Sequence, residues 1–225
     1  NSVIALSQLG ASPAFSCLVA DDELGDFYLQ EMAGLGITLH NPPIRQASTG
    51  TCLILITPDA ERTMNTHLGV STTLNVKDVS EEFIKDSKWV FLEGYLLSSE
   101  GGQAACRQAI KWARKYNTQI AFTFSDSFIV EIFRASLEEV VANADLLFAN
   151  AREVQAYTGI DDETERFEKF SELAPYAVMT LSERGALVKA NGEKEFVPAY
   201  AVKAIDETGA GDMFAGAFLY GLIRE

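Results

Sequence analysis

The residues with the clearest chemical potential lie near the end of the chain, where Gly209, Ala210 and Gly211 precede Asp212. The apolar stretch Met213–Ile223 that follows is predicted to be a helix. Small residues leave backbone N–H groups uncovered, and at a helix N-terminus these groups and the helix dipole favour a bound anion. A carboxylate there would repel the anion unless it has a task, such as accepting a proton from an attacking hydroxyl. The pattern therefore predicts phosphoryl transfer with Asp212 as the base.

A purely structural interpretation of the same segment stays open. Glycine turns are common, and Asp is a frequent helix cap. The spacing differs from two familiar phosphate-binding loops, since the chain has no GxxxxGK[S/T] and no GxGxxG opens this segment.

The composition argues against several other classes of function. The 225 residues carry a formal net charge of −14, which repels nucleic-acid backbones. The chain has two histidines, no HExxH and no CxxC, so a zinc enzyme is not expected. Three cysteines, an odd number, fit a reducing cytoplasm. No apolar run reaches about 18 residues, so we predict no membrane span.

Short apolar runs alternate with amphipathic stretches along most of the chain. The predicted strands are Ala14–Val19, Trp89–Leu92, Gln119–Phe124, Leu146–Phe148 and Tyr176–Leu181. The predicted helices lie at Glu23–Ala33, Gly102–Tyr116 and Val130–Val141. One face of the second helix collects Ala105, Cys106, Ala109, Ile110 and Ala113. Strands separated by helices predict an α/β fold with a mostly parallel sheet and crossover helices.

One region departs from this alternation. Thr51–Thr57 and Arg62–Thr66 are extended runs around the turn Pro58–Glu61, which predicts a β-hairpin. Such a hairpin is either a lid over a site or an ornament at the edge of the sheet.

Four segments occur in an order that is typical of one enzyme family. They begin at Asn1, Asn150, Thr180 and Asp206 and read NSVIALSQLGASPAFSCLVADDELGDF, NARE, TLSERG and DETGAGDMFAGAF. They resemble the N-terminal, NxxE, TLGxxG and DTxGAGDxFxxG motifs of the ribokinase-like (PfkB) kinases, and they cover essentially the whole chain. The resemblance implies a three-layer α/β sandwich, with a mostly parallel sheet flanked by helices and a small hairpin lid at about residues 48–68. We expect residues 1–225 to form one kinase domain, truncated at both ends.

The resemblance also implies roles around the acceptor. Asp212 matches the base that takes the proton from the acceptor hydroxyl. Gly209, Ala210 and Gly211 match the anion hole that stabilises the transferring phosphoryl group. Asn1 matches an asparagine that contacts substrate hydroxyls.

A second group of motif residues is implied to bind ATP and Mg²⁺. Asn150 and Glu153 resemble the pair that organises Mg²⁺ through water near the ATP phosphates. Thr180, Ser182 and Gly185 match nucleotide-binding positions.

The chain departs from the family pattern at several places. Asp206 matches a position that helps to hold a monovalent cation such as K⁺, but Glu207 replaces the usual Thr or Ser beside it and puts that cation in doubt. Ser182 replaces a glycine, and Val3 and Ala20 replace the usual Ala and Gly. The base and the anion hole are kept.

The hairpin and one later segment resemble the adenosine-kinase branch of the family. The likeness is carried by Ser48–Cys52, by Glu61–Met64 with Thr66–Leu68, and by Phe124–Ile129. It implies that Phe128 stacks on a purine, that the apolar wall includes Cys52, Met64 and Leu68, and that Arg62 neutralises phosphate charge during transfer. The alternative is that the apolar residues are ordinary core and that Arg62 is solvated.

Three functions remain in competition at this stage. The first is an ATP-dependent nucleoside kinase that acts on the 5′-hydroxyl of adenosine or a related purine nucleoside. The second is a sugar kinase for fructose, ribose or a sugar phosphate. The third is a non-catalytic binding protein on the same scaffold. The expected partners are a nucleoside or a sugar, without nucleic acid or membrane, and the expected state is a monomer or a homodimer through the lid.

Overall fold

A computed structural model describes residues 1–57 and 62–224 of the chain. It divides into two compact units, which we name the hairpin unit (Asn1–Ser80 with Val202–Glu225) and the sheet unit (Glu81–Ala201). None of the helices within these described residues combines the length and the apolar character needed to cross a membrane.

The elements follow one another in three blocks. The first part of the hairpin unit contains α1 (Ser2–Gln8), β1 (Ala14–Phe15), α2 (Glu23–Gly34), β2 (Thr38–Leu39), β3 (Thr51–Ile56) and β4 (Arg62–His67). The sheet unit contains α3 (Glu81–Lys85), β5 (Trp89–Glu93), α4 (Glu100–Tyr116), β6 (Gln119–Thr123), α5 (Ser127–Ile132), α6 (Arg134–Val141), β7 (Leu146–Asn150), α7 (Ala151–Thr158), α8 (Glu163–Ser171), β8 (Tyr176–Thr180), β9 (Gly185–Ala190) and β10 (Glu193–Pro198). The hairpin unit then closes with α9 (Ala210–Arg224).

A six-stranded sheet forms the centre of the sheet unit, in the order β10-β9-β8-β7-β6-β5. Strands β5 to β8 are parallel, and β9 and β10 are added antiparallel at one end. The predicted mostly parallel sheet flanked by helices is confirmed. The central strands are apolar along their length because they are buried: Ile120, Leu146 and Val178 are 0% exposed.

Helix α4 has the predicted buried face. Its buried residues include Ala105, Cys106, Ala109, Ile110 and Ala113, and the helix lies against β5 and β6. Ser99 accepts a hydrogen bond from the Gly102 amide at its start, and Asn117 ends it in a left-handed conformation.

Two predicted elements differ from the structure. The strand predicted at Ala14–Val19 is shorter in the structure, because only Ala14–Phe15 pair with the two-residue strand Thr38–Leu39. Further along the chain, Ala20 forms an isolated bridge with Ile44. The helix predicted at Val130–Val141 is two helices, since Asp126 caps an earlier start at Ser127 and the backbone leaves helical geometry at Phe133.

The predicted hairpin is present as β3 and β4. The two strands pair antiparallel, from Thr51 opposite His67 to Ile56 opposite Arg62. They form a sheet of their own, so the interpretation as an ornament at the edge of the main sheet is wrong. The predicted turn at Pro58–Glu61 lies outside the described residues.

Candidate active site

Asp212 is the third residue of α9, so it belongs to the helix that was predicted to follow it. The helix begins at Ala210 rather than at Met213, because the Gly209 carbonyl already accepts a hydrogen bond from the Met213 amide at 2.8 Å. The first N–H groups of a helix have no acceptor inside it, and the dipole there favours negative charge. The segment predicted to bind an anion therefore forms the N-terminus of α9.

Side chains and carbonyls already occupy part of this N-terminus. The Ala210 amide donates to the Glu207 carbonyl at 3.1 Å, so a bound anion would have to compete for this donor. The Asp206 carboxylate accepts from the Thr208 amide at 2.8 Å and so shapes the turn before α9. The structure therefore gives Asp206 a role in stabilising this turn. Its role with a monovalent cation stays a prediction.

The Asp212 carboxylate has a defined partner in Asn1. The Asn1 Nδ2 group donates to the Asp212 Oδ2 atom at 2.8 Å. A carboxylate held at one oxygen has a fixed orientation, and its other oxygen can accept a proton from a hydroxyl. Two residues that were selected from distant motifs, the first and the last, are thus brought together.

Close packing of α1 against α9 brings Asn1 to Asp212. Gly216 lies at the crossing, where a Cβ atom would stand 2.6 Å from the Ala5 Cβ and 2.7 Å from the Ser2 carbonyl oxygen. Only glycine permits this approach of the two helices.

The apolar residues predicted to line an acceptor pocket on the hairpin are exposed. Met64 and Leu68 are 52% and 51% exposed, and Cys52 is exposed with its Sγ 3.3 Å from the Thr66 hydroxyl. The strand register places Cys52, Ile54 and Met64 on the same face. Core burial, the alternative interpretation of these residues, does not occur. The Arg62 backbone pairs with Ile56, but its side chain lies outside the description.

In the sheet unit, Asn150 and Glu153 form a reciprocal cap at the start of α7. The Asn150 Oδ1 atom accepts from the amides of Arg152 and Glu153, both at 2.9 Å. The Glu153 carboxylate accepts a hydrogen bond from the Asn150 backbone N–H at 3.0 Å and another from the Asn150 side-chain Nδ2 at 2.6 Å. This is a capping box, which gives both residues a structural role whatever else they do.

Burial makes the Glu153 carboxyl group unusual. The side chain is 5% exposed, and desolvation raises its pKa to about 7. The hydrogen bond from the Asn150 amide opposes this rise in the pKa, and the negative charge of Asp126 adds to it. A buried carboxyl group in a polar cluster is a candidate functional group.

The donor set at Asn150 and Glu153 suits Mg²⁺ only through water. Carboxylate and amide oxygens are the ligands that Mg²⁺ prefers, but these oxygens already accept hydrogen bonds in the capping box. Within residues 1–57 and 62–224 no three His, Cys, Asp or Glu side chains converge on a point that could hold a metal ion. Since Mg²⁺ keeps waters and binds through substrate phosphates, the residues fit the predicted indirect role.

Thr180, Ser182 and Gly185 lie at the connection between β8 and β9. Thr180 ends β8 and is in register with Asn150 at the end of the parallel strand β7. Ligands of open α/β sheets bind outside the carboxyl ends of such strands. Ser182 has a φ angle of 53°, a left-handed conformation that explains why the family motif has glycine there.

Phe128 lies in the first turn of α5 and is 52% exposed, so it is not a core residue. Its ring makes a T-shaped contact with the Phe133 ring, with ring centroids 5.9 Å apart. Asp126, which the motifs did not select, caps this helix by accepting from the Phe128 amide at 2.8 Å. A cap residue directly before an apolar run was the signal for it.

Comparison with known proteins places the chain in a family. The family model described as pfkB family carbohydrate kinase matches residues 1–225. The solved structure of adenosine kinase from Sinorhizobium meliloti is 32% identical, covers 100% of this chain and 70% of its own, and superposes with a TM-score of 0.96. A probable sugar kinase from Rhizobium etli is 31% identical, with 100% and 69% covered and a TM-score of 0.95.

A third solved structure is a candidate ribokinase II from E. coli in complex with ATP and Mg²⁺. It is 20% identical, covers 99% of this chain and 73% of its own, and superposes with a TM-score of 0.91. At this identity it supports the fold alone. The family match over the whole chain and the two structures above 30% identity agree with the four motifs. The chain therefore belongs to the pfkB family of carbohydrate kinases, which makes it a phosphotransferase that acts on alcohol groups.

Proposed function

We propose that the protein transfers the γ-phosphoryl group of ATP to the 5′-hydroxyl of a purine nucleoside such as adenosine. The observation that carries the chemistry is the Asp212 carboxylate, held by Asn1 at 2.8 Å in the first turn of α9. A base and a set of amide donors at one helix terminus are what in-line phosphoryl transfer requires.

The proposed step begins when Asp212 accepts the proton of the acceptor hydroxyl. The hydroxyl oxygen forms a bond to the γ-phosphorus, and the bond from that phosphorus to the β–γ bridging oxygen breaks, which leaves ADP. The amides of Gly209 and Gly211 stabilise the charge on the transferring group, and the Ala210 amide joins them once the phosphoryl oxygen displaces the Glu207 carbonyl. Arg62 adds positive charge during transfer. Asn1 keeps the carboxylate oriented and contacts substrate hydroxyls.

The nucleotide is proposed to bind through residues of the sheet unit. Thr180, Ser182 and Gly185 contact ATP, and Asn150 and Glu153 hold water molecules of a Mg²⁺ ion. Mg²⁺ neutralises phosphate charge when it is bound. The solved E. coli structure that shares this fold contains ATP and Mg²⁺. Asp206 stays a candidate for a monovalent cation such as K⁺.

Two observations support a purine nucleoside as the acceptor. Phe128, Met64 and Leu68 expose apolar surface although each could have been buried, and a flat base needs such surface. The similarity to an adenosine kinase at 32% identity points the same way. A sugar kinase is the second candidate, because the probable sugar kinase from Rhizobium etli is nearly as similar, at 31%.

We further propose one kinase domain over residues 1–225, active in the cytoplasm as a monomer or as a homodimer through the hairpin. The three cysteines are free thiols, which suits a reducing compartment. The hairpin face opposite Cys52 is also apolar, since Leu53 and Leu55 are 63% and 54% exposed. In a homodimer, the hairpin of the partner would cover this second face. Sedimentation of the wild type and of Leu53→Ser tests the homodimer, because a dimer through this face should dissociate in Leu53→Ser.

The acceptor is tested by kcat/KM for adenosine, inosine, guanosine, ribose, fructose and fructose 6-phosphate with MgATP. A purine nucleoside should lead by more than about tenfold, which requires only about 1.4 kcal/mol of differential binding. Phe128→Ala should reduce the nucleoside values selectively. If a sugar leads the panel, the nucleoside proposal is wrong and the sugar-kinase alternative takes its place. If no acceptor is phosphorylated, the catalytic proposal itself fails.

A further inference from the structure

The Asp22 carboxylate binds two separate segments of the hairpin unit. It caps α2 by accepting from the Gly25 amide at 2.8 Å. It also accepts from the Thr49 amide at 2.8 Å and from the Thr49 hydroxyl at 2.6 Å. A helix cap needs only the first of these bonds, so the two bonds to Thr49 require another explanation.

Thr49 lies two residues before β3, at the stem of the hairpin. It is 9% exposed, and its Oγ1 atom also accepts from the Ala20 amide at 3.0 Å. Its side chain therefore links Asp22, Ala20 and the incoming strand. The hydrogen bonds from Thr49 and Gly25 hold the pKa of Asp22 below its ordinary value, so the carboxylate is charged at neutral pH.

The strand that leaves the hairpin is tied to the same point. The Val70 amide donates to the Ser48 carbonyl at 2.9 Å, and the Ser48 hydroxyl lies 3.3 Å from the His67 Nε2 atom. Both stems of the hairpin thus meet at residues 48–49, next to Asp22. Beyond the stems most hairpin residues are exposed, and an isolated two-stranded hairpin is only marginally stable.

We propose that Asp22 is a positioning residue that anchors the β3–β4 hairpin through Thr49 and so favours transfer to the acceptor over hydrolysis of ATP. This rests on the proposed function, in which the hairpin excludes water from the reaction. A lid that pivots on a fixed stem reaches the same closed position in each cycle. A loose stem leaves water in the site, and ATP is then hydrolysed instead.

The test compares Asp22→Asn with Asp162→Asn in the full protein. Asp162 also caps a helix, by accepting from the Glu165 amide at 2.9 Å, and it is a matched control because it makes no bond to the hairpin. Two quantities are measured: the ratio of phosphate released to product phosphorylated, and amide exchange of Thr51–Ile56 without substrates. Asp22→Asn should raise the ratio and the exchange rate by about tenfold, whereas Asp162→Asn should change neither.

Substitutions of Thr49 keep the test decisive if Asp22→Asn does not fold. Thr49→Val removes the hydroxyl and should reproduce the effect, and Thr49→Ser keeps the hydroxyl and should restore wild-type values. Unchanged ratio and exchange in Asp22→Asn and Thr49→Val would overturn the proposal and leave Asp22 as a helix cap. A wild type that phosphorylates no acceptor would instead refute the proposed function, and the exchange measurement would still decide whether Asp22 anchors the hairpin.

Discussion

Burial of the Glu153 carboxyl group has a consequence for stability. Its pKa rises from 4.5 in the unfolded chain to about 7 in the fold, so the folded state prefers the protonated form. The contribution of this group is therefore fully present below about pH 4.5 and is lost as the pH rises through about 7. Without Mg²⁺ at pH 8, Glu153→Gln should raise the free energy of unfolding by roughly 1–3 kcal/mol, measured by urea unfolding. At pH 4 the two proteins should be similar.

The same substitution should have the opposite effect on activity. If Glu153 holds metal-bound water, Glu153→Gln raises the Mg²⁺ concentration needed for half-maximal rate. The difference in rate between the variant and the wild type should then shrink as the Mg²⁺ concentration increases. Glu165→Gln is the matched control, because Glu165 occupies the same third helical position in α8 but is exposed. An unchanged Mg²⁺ titration would reduce Glu153 to a helix cap.

Gly185 is proposed to contact ATP, but its backbone conformation also requires glycine, and a stability measurement tests this second requirement. Its φ angle is 124°, and a Cβ atom would stand 2.0 Å from the Val197 carbonyl oxygen. Gly192 also has a positive φ angle, 82°, but a Cβ there would meet nothing within 4 Å. Gly185→Ala should therefore cost at least about 2 kcal/mol of stability more than Gly192→Ala, measured by urea unfolding. Equal costs would show that the glycine of this motif is not required by the backbone.

At the scale of elements, the hairpin is the part whose behaviour should change with substrate. Amide exchange across Thr51–Ile56 and Thr63–His67 should be slower with acceptor than without it, because transfer to an alcohol must exclude water. Strand β6, whose Ile120 is 0% exposed, provides an internal reference that should exchange slowly in both states. Equal exchange of the hairpin with and without acceptor would make it a static element.

The elements that could be predicted from the sequence are those whose burial imposes a pattern. Strands β6 to β8 are largely apolar since they lie inside the sheet, β5 is an apolar run at its end, and α4 has a regular buried face. Strands β9 and β10 gave no such signal, because charged residues such as Lys189, Glu193 and Lys194 interrupt them and β10 is exposed. The backbone leaves helical geometry at Phe133, inside an apolar stretch whose periodicity gives no sign of the break.

The candidate site was likewise predicted from the sequence only in part. Motif spacing selected Asp212, Asn150 and Glu153, and the spacing of Asn150 and Glu153 is itself the signature of a capping box. It could not foresee that Asn1 would hold Asp212, because that contact depends on the packing of α1 against α9. Asp22 escaped selection as a site residue because its partner Thr49 is 27 positions away in the sequence.

At the scale of the whole molecule, a net charge of −14 opposes the approach of ATP. In the proposed function, ATP binding therefore depends on local donors, such as the first amides of α9, and on a metal ion that would neutralise the phosphates. The chemistry is distributed over the chain, since the proposed base belongs to the hairpin unit and the proposed nucleotide residues belong to the sheet unit. The family match covers residues 1–225, and the proposed site and acceptor are what the kinetic experiments test.

The central claim is that Asp212 is the base of phosphoryl transfer, and steady-state kinetics of Asp212→Asn in the full protein test it most directly. The variant keeps the shape of the side chain but loses the proton acceptor, so kcat should fall by at least about 10²–10⁴-fold. The Kd of the acceptor should change by less than about tenfold. Asp26→Asn, on the exposed first turn of α2, should leave both values unchanged. A kcat for Asp212→Asn within tenfold of the wild type would contradict the account.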